Sequence, residues 1–363
     1  MNDSSWGPPK SPGYWDPSEP DPAPAAMSGP PAGEPAHGGI PDGQPQPYEP
    51  DRPGGGPGAD GAPGGAGQPP GGFERPEAPS GEPAPQQPKR QRGGRDLRAA
   101  IGVGLGLGAV IIASLFVVKA VFVGVVAAAV VVGLWELTSR LKERKGVNAP
   151  LVPLAVGGVA MLVAGYVRGV EGAWVAMALT ALAVLVWRMT DPPEDYLRDV
   201  TAGVFAAFYV PFLATFVVLM LAADTDGSWR VFTFLVLTVV SDTGAYAVGY
   251  KFGKHKLAPR ISPGKTREGL LGAASFAMVG GALCMQFLID GGHWWQGLLL
   301  GLAVAASATL GDLGESMIKR DLGIKDMGAL LPGHGGIMDR LDSLLPTAPV
   351  VWLLLVVFVG SGT

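Results

Sequence analysis

Cysteine is nearly absent from these 363 residues: Cys284 stands alone inside an apolar run. A single cysteine forms no internal disulfide, and no metal-binding cysteine spacing exists, so Cys284 is read as core packing. Histidine is scarce as well, with four copies. His37 lies in the N-terminal stretch, His255 and His293 lie near the ends of apolar runs, and only His334 has chemically dense neighbours. That distribution argues against a histidine metal site or a Ser-His-Asp hydrolase. The start of the chain lacks a basic segment followed by an apolar one, so no secretory signal peptide is expected.

Proline is plentiful but confined. Of 34 prolines, 24 precede Arg95, interleaved with Gly, Ala, Gln and acids. Too few large apolar side chains are present there to offset the entropy of ordering, so residues 1–97 are expected to be a disordered Pro/Gly-rich tail. The net charge of -4 averages this acidic stretch with basic loops beyond it and is uninformative.

From Ala99 onward apolar runs of bilayer-spanning length recur, which excludes an ordinary soluble domain for residues 98–363. Nine spans are expected, at about 99–118, 121–137, 150–168, 171–188, 199–222, 230–250, 269–289, 294–313 and 344–360. Ala99 to Trp135 is broken only by Lys119 and would extend about 55 Å as one helix at 1.5 Å per residue. A tight hairpin is therefore expected there. The fold class is an all-α polytopic membrane protein. Loop charge sets its orientation. Lys89, Arg90, Arg92, Arg95 and Arg98 precede the first span, and Arg188 with the loops 139–149, 189–198, 251–268 and 314–343 carries 16 Lys and Arg. The other side has Lys119, Arg168 and Arg230. The tail and the large basic loops are thus expected in the cytoplasm and the C-terminus outside.

Charge is concentrated where a membrane protein can least tolerate it, in Ser316-Met-Ile-Lys-Arg320, Lys325-Asp326 and His334-Gly-Gly-Ile-Met-Asp-Arg-Leu-Asp342. A charge at a membrane-helix centre costs about 2.5 to 3.5 kcal/mol, so such density marks a functional site. Glycine amides can face anions, cations can neutralise phosphates and carboxylates can hold a divalent metal. These are the parts of a phosphoryl-transfer site. At 100° per residue Asp312, Glu315, Ser316 and Lys319 share one helix face. The bland alternative is a solvated face with a Glu315–Lys319 i,i+4 pair. A second cluster, Ser262-Pro-Gly-Lys-Thr-Arg-Glu-Gly269, fails as a Walker A loop because Pro259 stands where that motif needs glycine. It reads instead as a Gly/Ser/Thr/Lys turn opening a helix, able to hold a phosphate. Asp242, inside the sixth span, either serves the site or hydrogen-bonds another helix.

Ser316-x-Ile-Lys-Arg-x4-Lys325-Asp326-x-Gly328-x2-Leu331-Pro332-x-His334-Gly335-Gly336-Ile337-x-Asp339-Arg340-Leu341-Asp342 resembles the signature of phosphatidate cytidylyltransferases, also called CDP-diacylglycerol synthases. Ser262-Pro-Gly-Lys-Thr-x-Glu-Gly269 and the multi-span layout are also similar to this family, with Arg267 where an aromatic residue is frequent. The resemblance covers about 265 residues and leaves out the tail. It implies transfer of CMP from CTP to phosphatidic acid with release of pyrophosphate, a magnesium cofactor (one ion or two), membrane-lipid partners, no nucleic acid, and a homodimer in the cell membrane. By resemblance Asp312 and Asp339 build the metal centre, with Asp342 and Asp326 as additional ligands. Ser316 and Lys319 line it. Lys265, Lys325 and Arg340 contact phosphate, Ser262 and Thr266 offer hydroxyls, and Arg320, His334, Gly335 and Gly336 complete the signature. Alternatives stay open. A transporter would place its polar groups near the midplane in matched halves. Within enzymes, a CTP-dependent polyprenol or dolichol kinase would release CDP rather than pyrophosphate, and a cytidylyltransferase acting on another lipid phosphate would use similar chemistry.

Overall fold

The structure, a computed structural model, describes residues 94–328, 330 and 335–362. Residues 1–93, and His334 with its neighbours 331–333, lie outside the described residues. Helices dominate, in the order α1 (Gly94–Val117), α2 (Lys119–Lys145), α3 (Leu151–Arg188), α4 (Tyr196–Ala207), a π-helical turn (Phe208–Phe212), α5 (Leu213–Leu221), α6 (Gly227–Phe252), α7 (Arg267–Phe287), α8 (Trp294–Asp321), α9 (Met338–Leu341) and α10 (Leu344–Val359). Among the described residues seven helical stretches are long and apolar enough to cross a bilayer. The chain is a multi-pass membrane protein.

Two of the expected breaks explain why seven stretches stand where nine runs were read. α3 is one of the seven, yet Gly169 inside it takes φ 66, ψ -151, a conformation open essentially only to glycine. Gly157 faces Thr180, and Gly165 lies near Ala173, so the two halves of α3 fold back on each other. The first pair of runs is divided at Val118, which is extended at φ -144, ψ 105. Within α1, Gly106–Val117 forms a shorter apolar stretch among the described residues.

The membrane-spanning stretches are all helical, as expected, and one local reading needs correcting: β1 (Lys256–Ala258) and β2 (Ser262–Thr266) form a small antiparallel hairpin between α6 and α7. The segment read as a turn opening a helix is β2, and the helix begins one residue later. Pro263 is tolerated because a two-stranded sheet is all edge. Thr266 ends the strand and caps α7, its Oγ1 accepting the Gly269 N–H at 3.1 Å.

Packing follows the same glycines. A Cβ at Gly281 would strike the Gly297 carbonyl, and one at Gly301 the Ala277 carbonyl, so α7 and α8 meet backbone to backbone. Larger apolar side chains, Leu134, Leu154, Phe234 and Leu300 among them, fill the main core. Charges collect at two ends. At one, Arg230 pairs with Asp226 at 2.6 Å and donates to Gly360 O, while Lys119 donates to Ala223 O. At the other, Arg188 pairs with Asp199 at 3.0 Å, and Lys145 with Asp321 at 3.0 Å.

Candidate functional site

The hairpin, the helices α6 to α9 and the start of α10 converge on a polar cavity of about 640 Å3, a volume typical of small-molecule sites. α6 contributes Asp242, β2 Lys265 and Thr266, α8 Thr309 and Asp312, and the α9–α10 segment Asp339, Arg340, Asp342 and Ser343. Lys265 crosses from the hairpin to α8, with Nζ 2.5 Å from Asp312 Oδ2. The hairpin that aims it is itself tied to α8, because Arg320 Nε donates to Ile261 O at 3.2 Å. Ser316, one turn on, donates to Asp312 Oδ1 at 3.4 Å.

A second ionic chain stands beside the first. Lys319 pairs with Glu315 on its own helix, which is the bland reading, and also with Asp339 at 2.6 Å. Asp339 further accepts the Met327 N–H on both oxygens at 3.1 Å, Gly328 N–H at 3.4 Å and Gly336 N–H at 2.8 Å. Charge-assisted bonds of this kind are roughly twice as strong as neutral ones, so Asp339 clamps the glycine loop. The Gly336 amide, expected to face a phosphate, is engaged by this clamp. Gly335 has φ 79, which favours glycine.

Three side chains absent from the sequence-based site stand behind it, outside the cavity wall. Glu136 of α2 is 2% exposed and accepts the Met338 N–H at 2.8 Å, while its Oε1 has no hydrogen-bond partner. Its carboxylate fills the space that a Cβ at Gly328 or Gly336 would need. Arg140, one turn later, donates to Met327 O at 2.8 Å. Tyr209, presented by the π-helical turn at Pro211, has a buried hydroxyl without a hydrogen-bond partner, within electrostatic reach of Glu315, Asp342 and Asp312. Single-turn π segments often accompany functional sites. Asp242 accepts from Ser343 Oγ at 3.3 Å, a bond to another segment, and it also lines the cavity. The available signal for Glu136 was a lone acid closing an apolar run. For Tyr209 there was none.

Other expected residues lie outside the cavity wall. Ser262 is held in the hairpin opposite Ala258. Lys325 and Asp326 are exposed and make no ion pair or hydrogen bond among the described residues. Asp342 accepts the Ser343 N–H at 2.7 Å. Asp242, Asp312 and Asp342 face the cavity together, an all-oxygen donor set that suits a hard divalent cation. No three acidic, His or Cys side chains among the described residues are close enough to form a finished metal site. The chemistry of the donors fits such an ion, and its ligand set would be completed by substrate oxygens or water.

The sequence is similar to those of known proteins. A model of the cytidylyltransferase family matches residues 98–358. The phosphatidate cytidylyltransferase of Mycobacterium bovis is 42% identical over 277 residues, which is 73% of this chain and 90% of that protein. That of Mycobacterium leprae is 42% identical over 280 residues, 73% of this chain and 89% of its own length. The phosphatidate cytidylyltransferase of Haemophilus influenzae is 39% identical over a shorter 148 residues, 39% of this chain and 51% of that protein. Every cavity-facing residue named above falls inside the matched region, and the chain belongs to the cytidylyltransferase family.

Proposed function

We propose that this protein is a phosphatidate cytidylyltransferase, converting CTP and phosphatidic acid to CDP-diacylglycerol and pyrophosphate. The observation that carries the reading is the cavity in which Lys265, Asp312, Arg340 and Asp342 meet at the ends of membrane helices. Both substrates present phosphate, and one of them resides in the bilayer.

A phosphate monoester has its second pKa at about 6, so the lipid phosphate is already an anionic nucleophile near neutral pH. No general base is required. One of its oxygens bonds to the α-phosphorus of CTP, the bond from that phosphorus to the β-phosphate oxygen breaks, and pyrophosphate leaves with the electron pair. The barrier comes from bringing two polyanions together and aligning them, so positioning and charge neutralisation carry the catalysis. Lys265 and Arg340, both in the cavity wall, hold phosphate oxygens. Asp312 and Asp342, with Asp242 beside them, would hold magnesium. Bound there, the ion would neutralise charge on the attacking and leaving oxygens. Asp339, clamped by Lys319, orients the loop that presents Arg340. Ser316 steadies Asp312, and Arg320 steadies the hairpin bearing Lys265. Thr266, Lys325, His334 and the Gly335–Gly336 turn are further candidates for phosphate contact.

The proposed topology has nine spans, with α1 as the first and α3 as two. The site then faces the cytoplasm, and the Pro/Gly-rich tail precedes the membrane domain as a separate segment. The support is the excess of Lys and Arg on the site-bearing loops. Purified protein given labelled CTP, phosphatidic acid and magnesium should form lipid-borne cytidine and pyrophosphate in equal amounts, with none when lipid or metal is withheld. Release of CDP with a newly phosphorylated lipid would replace this reading with a lipid kinase.

A further inference from the structure

The polar cavity has an apolar neighbour. Between α7 and α8, beneath Leu257 and Ala258 of the hairpin, lies a groove of about 530 Å3 lined by no charged side chain. Its floor is made of small residues, Ala274 and Ala305, and its outer rim is Leu271, Leu302 and Leu310, all well exposed. Leu257, Leu270 and Thr309 line both spaces, so the two adjoin. From Leu313 to Leu302 the groove follows about 16 Å of helix at 1.5 Å per residue, close to half of a hydrocarbon core of about 30 Å. It therefore starts beside Lys265 and Asp312 and descends through roughly one leaflet.

We propose that this groove holds one acyl chain of the lipid substrate and that its small residues set chain-length preference. The proposal rests on the phosphatidate reading above. A phosphate seated against Lys265 places the glycerol at Thr309 and Leu270, and the groove is the apolar path that begins there. Ordinary lipid facing a helix surface would need neither the recess nor its place against the polar cavity. Ala306 borders the groove on the exposed side of α8, so enlarging it narrows the recess without entering the packed α7–α8 contact.

The first measurement is the ratio of kcat/KM for a long-chain phosphatidate, such as dioleoyl, to that for the dioctanoyl lipid. Ala306→Phe should lower this ratio about tenfold or more while leaving KM for CTP unchanged. Leu302→Trp, on the exposed rim, is the second variant should Ala306→Phe not insert. Ala160→Phe, in the separate groove between the halves of α3, should leave the ratio unaltered. The second measurement needs no turnover. A phosphatidate with a photoactivatable group on its acyl chain should label the α7 and α8 peptides around Ala274 and Leu302. Excess phosphatidate should suppress that labelling, and phosphatidylcholine should not. An unchanged chain-length ratio, or equal displacement by phosphatidylcholine, would overturn the proposal and leave the groove coated by ordinary lipid. Absence of any cytidine-bearing lipid from the unmodified protein, at every chain length, would instead reject the reaction assigned above.

Discussion

Asp312 and Asp339 carry the same charge into the site and are held differently. The Asp312 side chain is 38% exposed and has Lys265 as its ionic partner, whereas that of Asp339 is 7% exposed and satisfies three backbone amides as well as Lys319. Asp312→Asn should therefore leave the fold intact and lower turnover about 10²-fold or more, the usual scale for losing a preorganised electrostatic contact. Asp339→Asn would turn an amide donor toward backbone donors, so both turnover and thermal stability should fall. Activity per folded molecule and melting in detergent, measured on the two variants, separate these outcomes. Equal melting losses, or retained turnover in Asp312→Asn, would refute the division of roles. Glu136→Ala makes a second test, since it strands the buried Met338 N–H, a loss of about 1 to 3 kcal/mol. Turnover should drop although Glu136 lines none of the cavity, and Arg140→Ala should produce a weaker effect of the same kind. Spacing along α8 revealed Asp312, Ser316 and Lys319 because they share one helix. Glu136 and Tyr209 reach the site from more than a hundred residues away, and that convergence is tertiary, with no local pattern to announce it.

The helices were legible as apolar runs, yet their ends were not. α8 continues to Asp321, eight residues beyond the expected span, because an unbroken helix keeps its amides bonded after the apolar face stops. That extension is what carries the polar face to the hairpin and the glycine loop. The hairpin was misread because Ser262-Pro-Gly-Lys-Thr has turn composition, and only its pairing with β1 makes it a strand. Where α3 meets α4, Arg188 donates to Asp199 Oδ2 and to the carbonyls of Pro192 and Glu194, fixing the loop between the two helices. Arg188→Met leaves Asp199, 2% exposed, with only the more distant Arg198 at 3.9 Å. Breaking one side of a buried pair costs about 3 to 5 kcal/mol, so monodisperse protein should be largely lost on size exclusion. Replacing both, Arg188→Met with Asp199→Leu, should restore part of the yield. If the double variant is no better than the single, the pair is not coupled and this account of the α3–α4 corner fails.

The two charged ends of the bundle were foreseeable in outline from Lys and Arg counts, and the structure gathers Lys119, Arg230 and Gly360 at one of them. Which end meets the cytoplasm depends on the positive-inside rule alone, and it can be read by labelling. Gly264 is exposed and has open space where a Cβ would go, so Gly264→Cys should fold normally. Asp290 is exposed beyond the far end of α7. The only native thiol, Cys284, is buried and can first be replaced by alanine. The 21 residues of α7 suffice to cross the bilayer, which sets the two introduced thiols on opposite faces. A membrane-impermeant maleimide should label Asp290→Cys in intact cells and Gly264→Cys only after the membrane is opened. The reverse pattern would invert the molecule, placing the site away from the nucleotide pool and making cytosolic CTP an impossible substrate. Labelling of both from one side would mean that α7 does not cross, and the span count would fall with it.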